Sequence, residues 1–151
     1  MVTRHKPIKG TLGQAHNVQA DPRIERVQLL FNMTDVKVPA DVDKPSSRYE
    51  GQSRQGKCYE LSASFILGLL GSGNKDWTEV HGLLNPPIGP FSGENYEHAW
   101  CERGDLVYES VFDAFYKKDE YYKVYEPKVK KRYSERELRK NVLKHKTWGP
   151  W

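Results

Sequence analysis

Residues 55–67 read QGKCYELSASFIL and predict the helix around which the rest of the chain folds. Apolar side chains recur every three or four residues over 59–70, on two stripes, which is typical of a helix buried over most of its surface. Gly56 precedes this segment, and the breaker GSGN at 71–74 follows it. Cys58 is therefore expected in the first turn of a central, buried helix.

The position of Cys58 decides its chemical interest. A cysteine acts as a nucleophile through its thiolate, and the free N–H groups at a helix N-terminus stabilise negative charge there. The same N–H groups can bind the oxyanion of a tetrahedral intermediate. A lone cysteine is otherwise most often a small buried apolar residue, so a catalytic reading needs a base elsewhere in the chain.

Residues 97–112 read EHAWCERGDLVYESVF and predict a β-hairpin that carries such a base. With Arg103–Gly104 as a two-residue turn, His98 faces Glu109 across the two strands, at a side-chain separation of about 5 Å. A register shift of two residues keeps both side chains on one face. Asp113 shares this parity and is the alternative acid, and the cross-strand pairing favours Glu109.

These segments, together with VHGLL at 80–84, resemble the core of transglutaminase-like and papain-like thiol enzymes. In that superfamily a cysteine begins a helix packed on a sheet, and a histidine, often within an HAW motif, follows on a strand. The resemblance covers roughly residues 52–113. It implies that Cys58 is the nucleophile, His98 the general base and Glu109 the orienting acid.

The same resemblance implies a second oxyanion donor beside the backbone of Cys58. In papain-like enzymes a glutamine several residues upstream of the cysteine supplies it. Gln52 lies six residues before Cys58 and has the papain-like spacing, whereas Gln55 lies three residues before. The chain also resembles small phage-encoded members in its aromatic ending, WGPW at 148–151.

The predicted fold class is α+β, with a central helix packed on an antiparallel β-sheet in a papain-like or transglutaminase-like core. Residues 1–51 are expected to form an irregular N-terminal arm, within which RIERVQLLF at 23–31 fits a helix or a strand. Residues 52–151 are expected to form the catalytic domain. It ends in a helix over 134–146 that begins with the capping box of Ser134 and Glu137.

Composition limits the class of protein further. The chain has 151 residues and a mean hydropathy of −0.80, and it contains no apolar run of the roughly 20 residues that a membrane helix needs. The N-terminus lacks the apolar segment of a secretory signal. We therefore expect a soluble, cytoplasmic protein without membrane contact.

Cysteine and histidine usage gives no framework for disulfides or metal. The two cysteines, Cys58 and Cys101, are expected to be free thiols, and Cys101 points away from His98 on its strand. The five histidines are scattered and no CxxC pair occurs. We expect no metal and no cofactor.

Positive charge is concentrated near the C-terminus. Residues 115–151 carry 12 Lys and Arg against five Asp and Glu, while 1–114 carry 12 against 15. The Lys/Arg-rich stretch 117–146 interleaves tyrosines and offers contacts to nucleic-acid phosphates. A solvated helix face followed by a linker is the favoured explanation of this charge, because no nucleic-acid motif accompanies it.

The sequence therefore predicts a thiol-dependent acyl hydrolase or acyltransferase that acts on a peptide, amide or ester through an acyl-thioester. Three alternatives stay open. They are a catalytically silent binding or inhibitor protein on the same fold, a nucleic-acid-associated protein, and a Cys/His metal protein. Neither the acyl acceptor nor the oligomeric state is specified by the pattern.

Overall fold

The computed structural model describes residues 21–43, 53–68 and 73–151. Their fold is α+β, built on a five-stranded antiparallel sheet in the order β4-β3-β2-β1-β5. In chain order the elements are α1 (Pro22–Asn32), α2 (Cys58–Leu67), β1 (Thr78–Leu84), β2 (Tyr96–Arg103), β3 (Leu106–Glu109), β4 (Ala114–Lys117), α3 (Lys118–Tyr125), β5 (Lys128–Tyr133) and α4 (Glu135–His145).

Alternation along the strands divides the core into two layers, one on each face of the sheet. On β2, Cys101 belongs to the cluster that contains Phe65 of α2 and Leu138 of α4. The preceding residue on the strand, Trp100, belongs to the other cluster, which contains Tyr121 of α3. The sheet is therefore covered by α2 and α4 on one face and by α3 on the other.

The N-terminal segment contributes a helix to this body. Asp21 caps α1 by accepting a 2.9 Å hydrogen bond from the backbone N–H of Arg23, and proline occupies the first helical position. The buried Arg26 donates to the carbonyl oxygens of Asn85 at 2.7 Å and Val124 at 3.0 Å. The irregular arm predicted for residues 1–51 thus contains an ordered helix that packs on α3.

Helix α2 begins at Cys58, as its pattern predicts, and ends earlier than expected. Its last residue is Leu67, and Gly68 takes the left-handed conformation with φ 65° while its N–H donates to the Ser64 carbonyl at 3.0 Å. The prediction of a helix reaching residue 70 was wrong, because Gly68 already supplies a C-cap. The helix therefore spans ten residues, Cys58–Leu67.

The β2–β3 hairpin also differs from its prediction. Arg103 pairs with Leu106, so the two-residue turn is Gly104–Asp105, with Gly104 at φ 57°. A two-residue hairpin loop prefers glycine at such a positive-φ position, which moves the turn one residue along the chain. Carried one residue further, this register puts Glu109 level with Trp100 instead of with His98.

Beyond β4, the basic C-terminal third forms three elements, α3, β5 and α4. Its most basic stretch, β5, pairs with β1 and is exposed along most of its length. Helix α4 is capped as predicted, since the hydroxyl of Ser134 accepts from the N–H of Glu137 at 3.2 Å. Across the described ranges, no helix is both long and apolar enough to cross a membrane.

Candidate active site

Cys58 lies at the N-terminus of α2, where its side chain faces a cavity. Only 8% of its surface is exposed. Ser110, the first residue after β3, donates to the Cys58 carbonyl at 3.4 Å and shares a 3.0 Å hydrogen bond with Ser62. The start of α2 is thereby fastened to the end of β3. The N-cap residue, Lys57, forms no side-chain cap, so the first helical turn presents its N–H groups toward this end.

His98 and Glu109 form a buried pair. The Nε2 atom of His98 lies 2.9 Å from both carboxylate oxygens of Glu109. His98 is 6% exposed and Glu109 is 1% exposed. Charged groups are seldom buried to this extent unless they are paired with each other. The two-residue register shift therefore leaves both groups on one face and within hydrogen-bonding distance, although they are not directly opposite.

Two further groups hold the Glu109 carboxylate in place. The hydroxyl of Tyr121 donates to Oε2 at 2.6 Å, and the backbone N–H of Val111 donates to Oε1 at 3.3 Å. Burial and the charge of Glu109 raise the pKa of Tyr121 far above its usual range, so the phenol stays a donor. Sequence reasoning did not predict this contact, because Tyr121 reaches the site from α3 on a different element.

The end of β3 lets Cys58 and His98 meet. The pairing of β2 with β3 extends only to Cys101 and Tyr108, so β3 does not cover the start of β2, where His98 lies. Burial lowers the pKa of His98, but the charge of Glu109 and hydrogen bonds with Cys58 and Glu109 more than offset this and raise it to about 10. Since Glu109 occupies Nε2, Nδ1 is the ring nitrogen that remains for proton exchange with Cys58.

This arrangement favours a charged imidazolium beside the thiol. An imidazolium held by a carboxylate on one side stabilises a thiolate on the other. The chemistry available is nucleophilic attack by sulfur with the histidine as proton donor. Three residues from α2, β2 and β3 supply it.

Asp113, the alternative acid, lies elsewhere. Its Oδ1 accepts a 2.8 Å hydrogen bond from the hydroxyl of Tyr108 and lies 3.8 Å from Arg54. Its own backbone is in the left-handed region, with φ 53°. Arg54 also donates to the Ser110 carbonyl at 2.8 Å. These contacts connect the segment before α2 to the turn after β3, and none of them involves His98.

The structure describes only one of the two glutamines that closely precede Cys58, and it is not the predicted oxyanion donor. Gln52 lies outside the described residues. Gln55 lines the same cavity as Cys58 and His98. Its spacing of three residues before the cysteine was visible in the sequence, but only the fold places it at the cavity.

A cavity of about 720 Å³ opens over Cys58 and His98. The residues around it come from the β1–β2 and β3–β4 connections, the start of β2, the start of α2 with the residues before it, α1 and the end of α3. Cavities of this size, mostly apolar with a few polar groups, are typical of small-molecule and peptide-side-chain sites. The reactive pair therefore lies where a ligand can reach it.

The second cysteine and the remaining buried polar groups are structural in their contacts. Cys101 is fully buried on the opposite face of β2 and its Sγ donates to the Ser62 carbonyl at 3.5 Å. Burial raises its pKa well above the usual value. On β2, Trp100 donates to Glu102 at 2.8 Å. Among the described residues, no cluster of three or more His, Cys, Asp or Glu side chains is arranged to hold a metal ion.

Comparisons of the chain with protein-family models, with curated proteins and with solved structures find no match in any of the three. The chemistry available to the site therefore follows from its own geometry. That geometry combines a thiol at a helix start, a buried histidine–carboxylate pair and an open cavity above them.

Proposed function

We propose that this protein is a thiol-dependent acyl hydrolase or acyltransferase in which Cys58, His98 and Glu109 form a catalytic triad. The observation that carries the proposal is the position of His98, which contacts Cys58 and lies 2.9 Å from the carboxylate of Glu109. A nucleophile, its base and the group that orients the base are the parts that acyl transfer requires.

In the first step the Cys58 thiolate attacks the carbonyl carbon of an amide or ester and a C–S bond forms. The carbonyl π electrons move to oxygen, and the oxyanion then collapses and expels the amine or alcohol. His98 gives its proton to that leaving group, and an acyl-thioester remains on Cys58. Glu109 keeps the imidazole oriented and stabilises its charged form.

In the second step an acceptor attacks the thioester. His98, now neutral, takes the proton of a water or an amine as the new C–O or C–N bond forms. The C–S bond breaks and the thiolate is restored. Water gives hydrolysis and an amine gives transfer, so both outcomes use the same residues.

The oxyanion is assigned to donors at the start of α2. The backbone N–H of Cys58 has no helical acceptor of its own at this position. A side-chain amide is the second donor, either Gln55 at the cavity wall or Gln52 with the papain-like spacing. The α+β fold, with the thiol opening a helix packed on an antiparallel sheet, supports a papain-like or transglutaminase-like core.

Alkylation of the two cysteines tests this proposal with an internal reference. Iodoacetamide at neutral pH, followed by peptide mapping, is expected to label Cys58 faster than an unstructured cysteine peptide and far faster than the buried Cys101. His98→Ala should slow the labelling of Cys58 by about tenfold or more, because the thiolate loses its counter-charge. His145→Ala, which removes an exposed histidine on α4, should leave the rate unchanged.

Labelling of Cys58 at the rate of the unstructured peptide would contradict the proposal. Equal rates in the wild type and His98→Ala would do the same. A catalytically silent binding protein on this fold predicts that outcome.

A further inference from the structure

The residues around the cavity define the kind of substrate that reaches Cys58. Large apolar side chains are exposed at its rim, with Ile88 and Phe91 each 46% exposed and Phe112 61% exposed. Ile88 and Phe91 come from the connection between β1 and β2, and Phe112 comes from the connection between β3 and β4. Single exposed apolar side chains are ordinary on protein surfaces, whereas a group of them around a cleft indicates a binding surface.

A row of rings continues from this rim to the reactive pair. Phe91 stacks on Tyr96 with ring centroids 4.9 Å apart, and Tyr96 lies 5.6 Å from His98. Burial raises the pKa of Tyr96 above its usual range, so its phenol is uncharged. The wall that leads to His98 is therefore aromatic and neutral along its length.

Prolines give this wall a fixed shape. Pro86, Pro87 and Pro90 all line the cavity, and they lie in the connection between the end of β1 and the start of β2. A proline fixes its own φ and restricts the residue before it, so such a connection loses little conformational entropy when a ligand binds. The apolar rim is consequently presented in advance of binding.

The charged side chains around the cavity disfavour an anionic group. Among the described residues that line it there is no lysine or arginine, and the carboxylate of Glu97 is present. Glu97 is already paired, since its carboxylate lies 3.1 Å from Nζ of Lys130. The imidazolium of His98 is the one cation among these described residues, and the carboxylate of Glu109 already pairs with it at 2.9 Å. A substrate carboxylate in this space would therefore be desolvated without a cation of its own, which costs free energy.

We infer that the part of the substrate bonded to Cys58 in the thioester carries a bulky, uncharged apolar group that occupies this cavity. The inference rests on the proposed thiol chemistry of Cys58. The acyl part is the group concerned because it stays attached to sulfur through both steps, directly beneath the cavity, while the leaving group departs after the first. An aromatic or branched amino-acid side chain and a fatty-acyl chain share this chemistry.

A series of p-nitrophenyl esters tests the inference, since the leaving group is constant across the series. The acyl groups are acetyl, phenylpropanoyl, octanoyl and hemisuccinyl, and each rate is divided by the rate of the same ester with free cysteine. We expect phenylpropanoyl to exceed acetyl in kcat/KM by about tenfold or more, as an added apolar group in a fitting pocket does. The hemisuccinyl ester should react more slowly than acetyl. An octanoyl rate above that of phenylpropanoyl would assign the apolar group to a lipid source, and the reverse to a side chain.

A matched pair of variants localises the effect. Phe112→Ser should lower the ratio of phenylpropanoyl to acetyl at least threefold, because it removes apolar surface from the rim. Phe31→Ser removes a phenylalanine that is 75% exposed and lies outside the cavity, and it should leave the ratio as in the wild type.

Two failures are distinguishable in this design. If acetyl and phenylpropanoyl acylate Cys58 equally fast, or if hemisuccinyl is preferred, the apolar substrate class is wrong while the thiol chemistry stands. If no ester acylates Cys58 faster in the wild type than in His98→Ala, the proposed function itself fails.

Discussion

Tyr121 shows at the scale of one residue how the candidate site depends on a distant element. Its hydroxyl donates to Glu109 at 2.6 Å and is fully buried. The phenol fixes the carboxylate that in turn holds His98, so in the proposed triad Tyr121 is a positioning residue. The aromatic rings around it, including Trp100 and Tyr125, keep the phenol in place.

Removing this hydroxyl should slow acylation without unfolding the protein. Tyr121→Phe deletes one hydrogen bond to a buried carboxylate, an interaction of about 1.5–3 kcal/mol, and we expect the acylation rate of Cys58 to fall about tenfold. Stopped-flow measurement of the burst with a p-nitrophenyl ester gives the rate constant of acylation and the substrate dissociation constant separately, and the effect belongs in the rate constant of acylation. Tyr122→Phe is the matched control, because this neighbour on α3 bonds to Glu102 instead. Equal losses in the two variants would contradict the positioning role.

Glu79 is a second buried carboxyl with a different environment. It is 0% exposed, one of its oxygens has no hydrogen-bond partner, and the other lies 3.2 Å from Nε2 of His81. Burial raises the pKa of Glu79 well above its usual range and lowers that of His81 to about 4. A neutral carboxyl that donates to a neutral imidazole satisfies both shifts.

The pH dependence of stability should reveal this carboxyl. Its folded-state pKa is raised, so the stability that Glu79 contributes is fully present below the ordinary glutamate pKa and is lost as pH rises through the raised pKa. Glu79→Gln cannot ionise, and we expect it to increase the free energy of unfolding by about 1–3 kcal/mol at pH 8, with a smaller gain near pH 5. Urea unfolding at the two pH values measures the difference. The exposed Glu94→Gln should show no such gain, and a loss for Glu79→Gln at pH 8 would contradict the assignment.

At the scale of elements, the contact between β1 and β5 depends on Gly82. The register of this pair shifts between His81 and Gly82. A Cβ atom at Gly82 would lie 2.4 Å from the Lys128 carbonyl oxygen and 3.0 Å from the Trp100 ring. Both distances are closer than ordinary packing allows, so only glycine lets β5 and the Trp100 ring approach β1 together.

Gly82→Ala should therefore push β5 away from the sheet. We expect a loss of about 2 kcal/mol or more in the free energy of unfolding, since a backbone atom must move to relieve the clash. Hydrogen exchange should increase in β5 before it increases in β2 or β3. Thr78→Ala, a change without a clash on the same strand, should cost less. Unchanged protection of β5 in Gly82→Ala would contradict the packing described.

The elements also show which patterns a sequence can reveal. Helix α2 carries a dense apolar pattern and its predicted start at Cys58 was confirmed, because local periodicity reports burial. Strand β5 reads KVKKRY and has no apolar alternation. It forms because β1 offers an unpaired edge, a tertiary cause that no local pattern contains.

At the scale of the whole molecule, the site is assembled by topology. The sequence supplied Cys58, His98 and Glu109 as candidates, because the two-residue shift between the predicted and the observed register leaves His98 and Glu109 on one face of the hairpin. It did not supply the end of β3 that exposes His98 to α2, nor Tyr121 from α3. Both features depend on how the elements pack. Composition and periodicity predicted only the coarse α+β class of the architecture.

The most direct test of the central claim is the mass of the acyl-enzyme. The protein is mixed with p-nitrophenyl acetate at neutral pH, quenched in acid and mapped by peptide mass spectrometry. The triad predicts one acetyl group on the peptide that contains Cys58, formed in a rapid burst, absent in Cys58→Ala and slowed about tenfold or more in His98→Ala. Acetylation confined to lysines or Cys101, or acetylation of Cys58 at the same rate in His98→Ala, would contradict it.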